Sequence, residues 1–188
     1  MAHFHPQKGG KTRKKYASIL IDETKLINGY KAIVAAIPFR QRAIPIYWLI
    51  YSDDEMRQMK YKSHNQIIES FCSTVYRLTS VALPKGCQPV LVFDRGFARA
   101  RYVIKYFNEF QIPFLMRVPK NVGVEIEGVS KTLNQITETR FSPSIIYHRT
   151  ERLSLRLYAI IDADYDDPMY LISNRYLLSA TNEDRTRL

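Results

Sequence analysis

The sequence predicts an α/β fold: a mixed sheet with helices on its faces, followed by a β-rich insertion. Three observations predict it. Periodicity and breakers order the first two thirds of the chain as β-β-β-α-β-α-β. Two of those strands close on an aspartate, Asp22 and Asp94. From about residue 120 the pattern changes to short alternating stretches separated by polar turns.

The elements follow in order. Residues 1–15 are polar and basic, contain Gly9-Gly10, and predict a disordered arm. Gly10-Lys11-Thr12 resembles the end of a phosphate-binding loop, but the glycine that motif needs five residues earlier is His5. Ser18 to Asp22 is a short apolar strand closed by a carboxylate. Asn28-Gly29 supplies a hairpin turn into a second strand, Tyr30 to Ile37. Ala43 to Tyr51 is a third, and the three are expected to be antiparallel. The charged stretch Ser52 to Lys62 predicts a loop. Ile67, Phe71, Val75 and Leu78 then fall at helical spacing, so 63–82 is an amphipathic helix ended by Pro84 and Gly86. Pro89 to Phe93 is a fully apolar strand closed by Asp94, with Gly96 allowing a tight turn. Arg99 to Phe110 forms a second helix with Val103, Phe107 and Phe110 on one face, and Pro113 to Val118 a fifth strand. Helices crossing back over the sheet make the later strands parallel. Ser144 to His148, Ser154 to Asp162 and Met169 to Ser173 are the strands of the insertion. The domain reading is an arm over 1–15, a core over 16–119, the insertion over 120–175 and a terminal segment over 176–188.

The 188 residues suit one domain, and 46% hydrophobic content supports a buried core without disulfides. Cys72 and Cys87 form no CxxC pair, which fits a reducing cytoplasm and argues against a zinc site or a secreted scaffold. No signal peptide opens the chain, and no apolar run nears the length of a membrane span. A formal net charge of +10 points to a polyanionic partner, with nucleic acid first, because neutralised phosphates release counterions. A solvated basic surface is the plainer alternative.

Asp22 and Asp94 carry the candidate chemistry. Ligands collect at the carboxyl ends of strands in an open sheet with crossover helices. Two carboxylates on adjacent strands set like charges side by side, a conflict a divalent cation removes. Magnesium and manganese prefer such hard oxygen donors, and a pair of such ions can assist phosphodiester cleavage. The competing account is that Asp22 caps a turn and Asp94 the helix after it. Around Asp94, the guanidinium groups of Arg95, Arg99, Arg101 and Arg117, with the Lys120 ammonium, could hold phosphates. Asp162, Asp164 and Asp166 begin like a calcium loop, but Asp167 stands where that loop needs glycine and Ser173 where it needs glutamate, so a polar turn is expected. His64 and His148 lack partners at metal-ligand spacing.

Five blocks in order, ILIDETKL at 19–26, RAIPIYWLIY at 42–51, LVFDRGFA at 91–98, FLMRV at 114–118 and YLISN at 170–174, resemble DDE-type insertion-sequence transposases. The branch is the one with a β-strand insertion and a Tyr-Arg-Glu-Lys signature helix, and the resemblance covers about 17–175. It implies a ribonuclease H-like fold, Asp22 and Asp94 as the first two metal-binding carboxylates, Mg2+ or Mn2+ in a two-metal site, and transposon-end DNA as substrate. The third ligand in that family is a glutamate on a helix after the insertion. Aligned on Glu183, the tyrosine position is Tyr176, but the arginine position is Ser179 and the lysine position lies past Leu188. The expectation is therefore an incomplete catalytic domain lacking its third carboxylate. The rival readings are a non-catalytic DNA-binding remnant that competes with a full-length transposase, and a ribonuclease H-like nuclease of another kind. A second copy of the chain is the other partner considered.

Overall fold

A computed structural model describes residues 15–58, 63–99, 101–148, 150–161 and 168–177. Residues 1–14 of the basic arm, the Asp162–Asp167 run and Glu183 lie outside the described residues; Lys15, read as the end of the arm, instead opens the first strand. The first strands are β1 (Lys15–Lys25), β2 (Tyr30–Phe39) and β3 (Arg42–Ser52), paired antiparallel as expected. Asn28 and Gly29 take φ of 56° and 76° between β1 and β2, a left-handed pair that asparagine and glycine tolerate best. The stretch read as a loop opens instead with a short helix, α1 (Asp53–Gln58). Its signal is Ser52-Asp53-Asp54-Glu55: the Glu55 N–H donates to Ser52 Oγ at 3.1 Å, and the Ser52 N–H donates to Glu55 Oε2 at 3.0 Å. That reciprocal capping box satisfies two of the backbone donors a helix start leaves unpaired.

Helix α2 (His64–Ala82) begins at Ser63, whose hydroxyl accepts from the Gln66 N–H. Its buried residues are Ile67, Ile68, Phe71, Cys72 and Val75. Leu78, expected on that face, is 50% exposed, because the fully buried face of the helix ends at Val75. Strand β4 (Cys87–Phe93) follows, then a 3-10 turn over Arg95–Arg99, helix α3 (Arg101–Glu109) and strand β5 (Phe114–Val118). The 3-10 turn, closed by the Phe97 N–H on the Asp94 carbonyl, makes the bend, and Gly96 is not among the left-handed glycines. Val103 and Phe107 are buried as expected, but Phe110 is exposed at the end of α3 and Ile104 takes its place in the core.

The insertion supplies β6 (Gly123–Ile126), β7 (Val129–Thr132), β8 (Arg140–Tyr147), β9 (Leu153–Ile160) and β10 (Met169–Ser173). These strands continue the same sheet. Its order is β3-β2-β1-β4-β5-β10-β9-β8-β6-β7, with β1, β4 and β5 parallel and the remaining pairs antiparallel. The fold is thus mixed α/β, with a ten-stranded mixed sheet and few helices. Asn174, 7% exposed at the end of β10, ties insertion to core. Its amide donates to the Ile112 carbonyl at 2.9 Å and the Phe107 carbonyl at 3.4 Å, and its Oδ1 accepts from the Phe114 N–H at 3.3 Å.

Alternation divides the first five strands into two faces. Ile19, Ile21, Ile33, Leu91, Phe93, Phe114 and Met116 are buried on one face, under α2 and α3, which contact each other. Phe107 of α3 stacks on Phe93 with ring centroids 5.2 Å apart. Each such large side chain contributes about 1.5–3 kcal/mol by leaving water. The opposite face carries Leu20, Val34, Val92 and Leu115, only half-buried, with Trp48 and Ile50 exposed. Helices on both faces were expected; among the described residues they share one.

Candidate active site

Asp22 and Asp94 are brought together by strand register. Strands β1 and β4 run parallel, with Ile21 opposite Phe93, so the two aspartates occupy the next position on neighbouring strands. Parallel neighbours lie about 4.8 Å apart, and residues level with one another share a face. Both aspartates are exposed and line one cavity of about 370 Å³ with Glu23, His64, Asn65, Ile68, Gly96 and Phe97. The cavity opens where β4 stops and β1 continues. Asp22 does not close its strand: β1 runs on to Lys25, and Asp22 sits opposite Val34 of β2. A turn-capping role is thereby removed for Asp22, whose carboxylate has no hydrogen-bond partner among the described residues. Asp94 does stand at a strand end, and its Oδ1 accepts the Arg95 N–H at 2.5 Å.

One residue on, the strand turns Glu23 to the opposite, core side. Glu23 Oε1 accepts the Tyr51 hydroxyl from β3 and lies 2.6 Å from Nε2 of His64 at the start of α2. Burial acts to raise the Glu23 carboxyl, but the hydrogen bonds from His64 and Tyr51 and the positive charge of His64 and Lys31 outweigh it and hold the group below the usual carboxylate range. Sequence reasoning missed this cluster and set His64 aside. A signal was present: Ile19, Ile21 and Glu23 alternate onto one face, and a carboxylate on the core-facing side of a strand requires partners.

The basic residues divide. Arg95 is exposed beside Asp94. Arg117 of β5 is half-buried and follows Met116, the strand partner of Phe93, as Asp94 follows Phe93. Asp22, Asp94 and Arg117 thus each follow one of the residues Ile21, Phe93 and Met116 that pair across three adjacent strands, and of the three only the aspartates line the cavity. Lys120 is exposed beyond the end of β5, farther from that row. Arg99 and Arg101 belong to the 3-10 turn and α3, and their side chains lie outside the described residues.

The donor set suits a hard divalent cation: two carboxylates lining one cavity, one of them without a hydrogen-bond partner among the described residues. Among the described residues no group of three or more His, Cys, Asp or Glu side chains is arranged to hold a metal. No known family model matches the chain. No curated protein matches it significantly either. Among the described residues no helix is long and apolar enough to cross a membrane.

Proposed function

We propose that this chain is the catalytic core of a DDE-type transposase with a ribonuclease H-like sheet, acting on DNA phosphodiesters through Asp22 and Asp94. The observation that carries the reading is the cavity that Asp22 and Asp94 line together beside the paired parallel strands β1 and β4. Aspartates at this spacing would share Mg2+ or Mn2+, which when bound activates a nucleophile and stabilises a leaving oxygen. Arg117 and Arg95 would clamp the phosphate beside them by charge-assisted hydrogen bonds. The +10 charge would draw the DNA in at low salt.

The second reading is a non-catalytic DNA-binding protein. The observation favouring it is that, among the described residues, no third His, Cys, Asp or Glu side chain is arranged with the two aspartates to hold a metal. One experiment separates the two: nicking of supercoiled plasmid by the purified chain with manganese, alongside Asp22→Asn and Asp94→Asn. Slow, manganese-dependent nicking lost in both variants supports the catalytic reading. Nicking that survives both substitutions refutes the two-aspartate site. DNA binding without any nicking is the outcome the second reading expects.

A further inference from the structure

We propose that the outer edge of β3 pairs, antiparallel, with the same edge of a second copy of this chain over residues 47–51. The inference stands apart from the reading of the aspartate cavity and holds whatever chemistry that cavity performs.

The two ends of the sheet differ. Strand order places β7 at one end and β3 at the other, and among the described residues each pairs on one side only. An edge strand offers a row of unpaired N–H and C=O groups, which proteins blunt with short strands, lysines, prolines or bulges. β7 is blunted, since it has 4 residues and Lys131 is one of them. β3 has 11. Its own protection sits in the first half, where Pro45 and a register shift against β2 interrupt the ladder. Residues 47–52 pair with residues 30–35 of β2 in unbroken register and carry no charge.

This unprotected stretch is also apolar where it meets water. Trp48 is 61% exposed and Ile50 51%. Both lie on the face opposite the helices, beside Val34 and Ala32 of β2. A large aromatic and a β-branched side chain, exposed together on an open strand edge, mark a contact surface.

What the edge requires selects the occupant. A row of backbone donors and acceptors is satisfied by an extended strand, not by a helix or a DNA duplex. That strand must be uncharged and apolar on both faces, and β3 itself meets these conditions. A two-fold axis normal to the sheet at Leu49 keeps each face on its own side. It sets Trp48 opposite Ile50 of the second copy and Tyr47 opposite its Tyr51, the aromatic and β-branched pairs that stabilise sheets. Charge favours the same direction. Antiparallel pairing carries the hairpin of each copy, with Arg40 and Arg42 exposed, toward the acidic start of α1 in the other, where Asp54 is exposed. Parallel pairing would set like charges together. Because the contact is isologous it closes at two copies, and the short β7 edge does not extend it.

Sedimentation equilibrium tests this, after nuclease treatment and at about 0.5 M salt to strip bound nucleic acid. A monomer–dimer equilibrium is expected, and a contact on the order of 1,000 Å² in total implies micromolar dissociation. Trp48→Lys and Ile50→Lys, which place a charge at exposed positions of the edge, should each weaken association at least about 10-fold. Val129→Lys, on the β7 edge, should leave it unchanged. Circular dichroism confirms that each variant is folded. Amide exchange in wild type gives a readout that needs no variant. The outward N–H groups of β3 should exchange at least about 10-fold more slowly at about 200 µM than at about 1 µM, while those of β7 do not change. A chain still monomeric at about 200 µM overturns the proposal and leaves the edge to a different protein. A dimer that survives either lysine substitution on β3, or that forms without slowing β3 exchange, overturns it too. So does assembly beyond two copies.

Discussion

Replacing Asp22 by asparagine should make the metal-free protein more stable and the manganese-loaded protein less stable than wild type. Asp22 and Asp94 follow paired residues of adjacent parallel strands and line one cavity, and the strand spacing of about 5 Å sets the scale of their separation. Both are exposed, so a water-like dielectric applies, and two unit charges at that distance repel by about 0.8 kcal/mol. Salt at about 0.15 M screens part of this, leaving roughly 0.5 kcal/mol. Asparagine removes the repulsion at similar size and similar strand propensity. At about 2–4 °C per kcal/mol for a chain of this size, the variant in chelator should melt about 1–2 °C above wild type. With manganese the order should reverse. A site of two carboxylates binding on the order of 1 mM gains about 1.4 kcal/mol at about 10 mM metal, or about 3–6 °C, and the variant gains little of it. The assay is a pair of melting curves, in chelator and in manganese, with Glu138→Gln as a distant exposed control. An Asp22→Asn protein that melts below wild type in chelator, or that keeps the full manganese shift, would refute the reasoning.

Three further outcomes follow from the same geometry. Asn174→Ala should lose roughly 2–4 kcal/mol in urea unfolding, because the Ile112 carbonyl and Phe114 N–H lose their buried partner; a loss under 0.5 kcal/mol would show the tie between insertion and core to be dispensable. The stability difference between wild type and Glu23→Gln should be full at pH 7, because a carboxyl held low in the folded state contributes stability above its unfolded value. It should shrink as pH falls below the ordinary 4.5 and vanish once folded Glu23 is protonated, which chemical unfolding at stepped pH would follow. Duplex DNA binding should weaken steeply with salt, and Arg117→Gln should lower the slope of log affinity against log salt by about 1; an unchanged slope would remove Arg117 from the phosphate contacts.

What could be read in the sequence was local. An apolar run closed by a carboxylate marked both Asp22 and Asp94, and the crossover through α2 made the pairing of β1 with β4 the natural arrangement. Periodicity identified the buried faces of α2 and α3, but not how far a partner surface extends along each. That is why Leu78 and Phe110 were assigned to the core and are exposed. The continuation of the sheet through β10 was not legible either, since alternation along a strand says which face is apolar and nothing about which strand lies beside it.

The same limit explains the missed half of the site. Glu23 and His64 are separated by 41 positions, and Tyr51 reaches Glu23 from a third strand. Each has an ordinary reading alone: a strand carboxylate, a helix-start histidine, a buried tyrosine. Only folding reveals that one oxygen of Glu23 faces both of the others. Along β1, alternation then gives consecutive acids different tasks. Asp22 turns to the open face, without a partner among the described residues and level with Asp94, where a cation can share it. Glu23 turns to the core face, where its bonds to His64 and Tyr51 occupy it. A carboxylate engaged in two hydrogen bonds is poorly placed to complete a metal cage. The division of labour between Asp22 and Glu23 thus follows from the two-residue period of a strand.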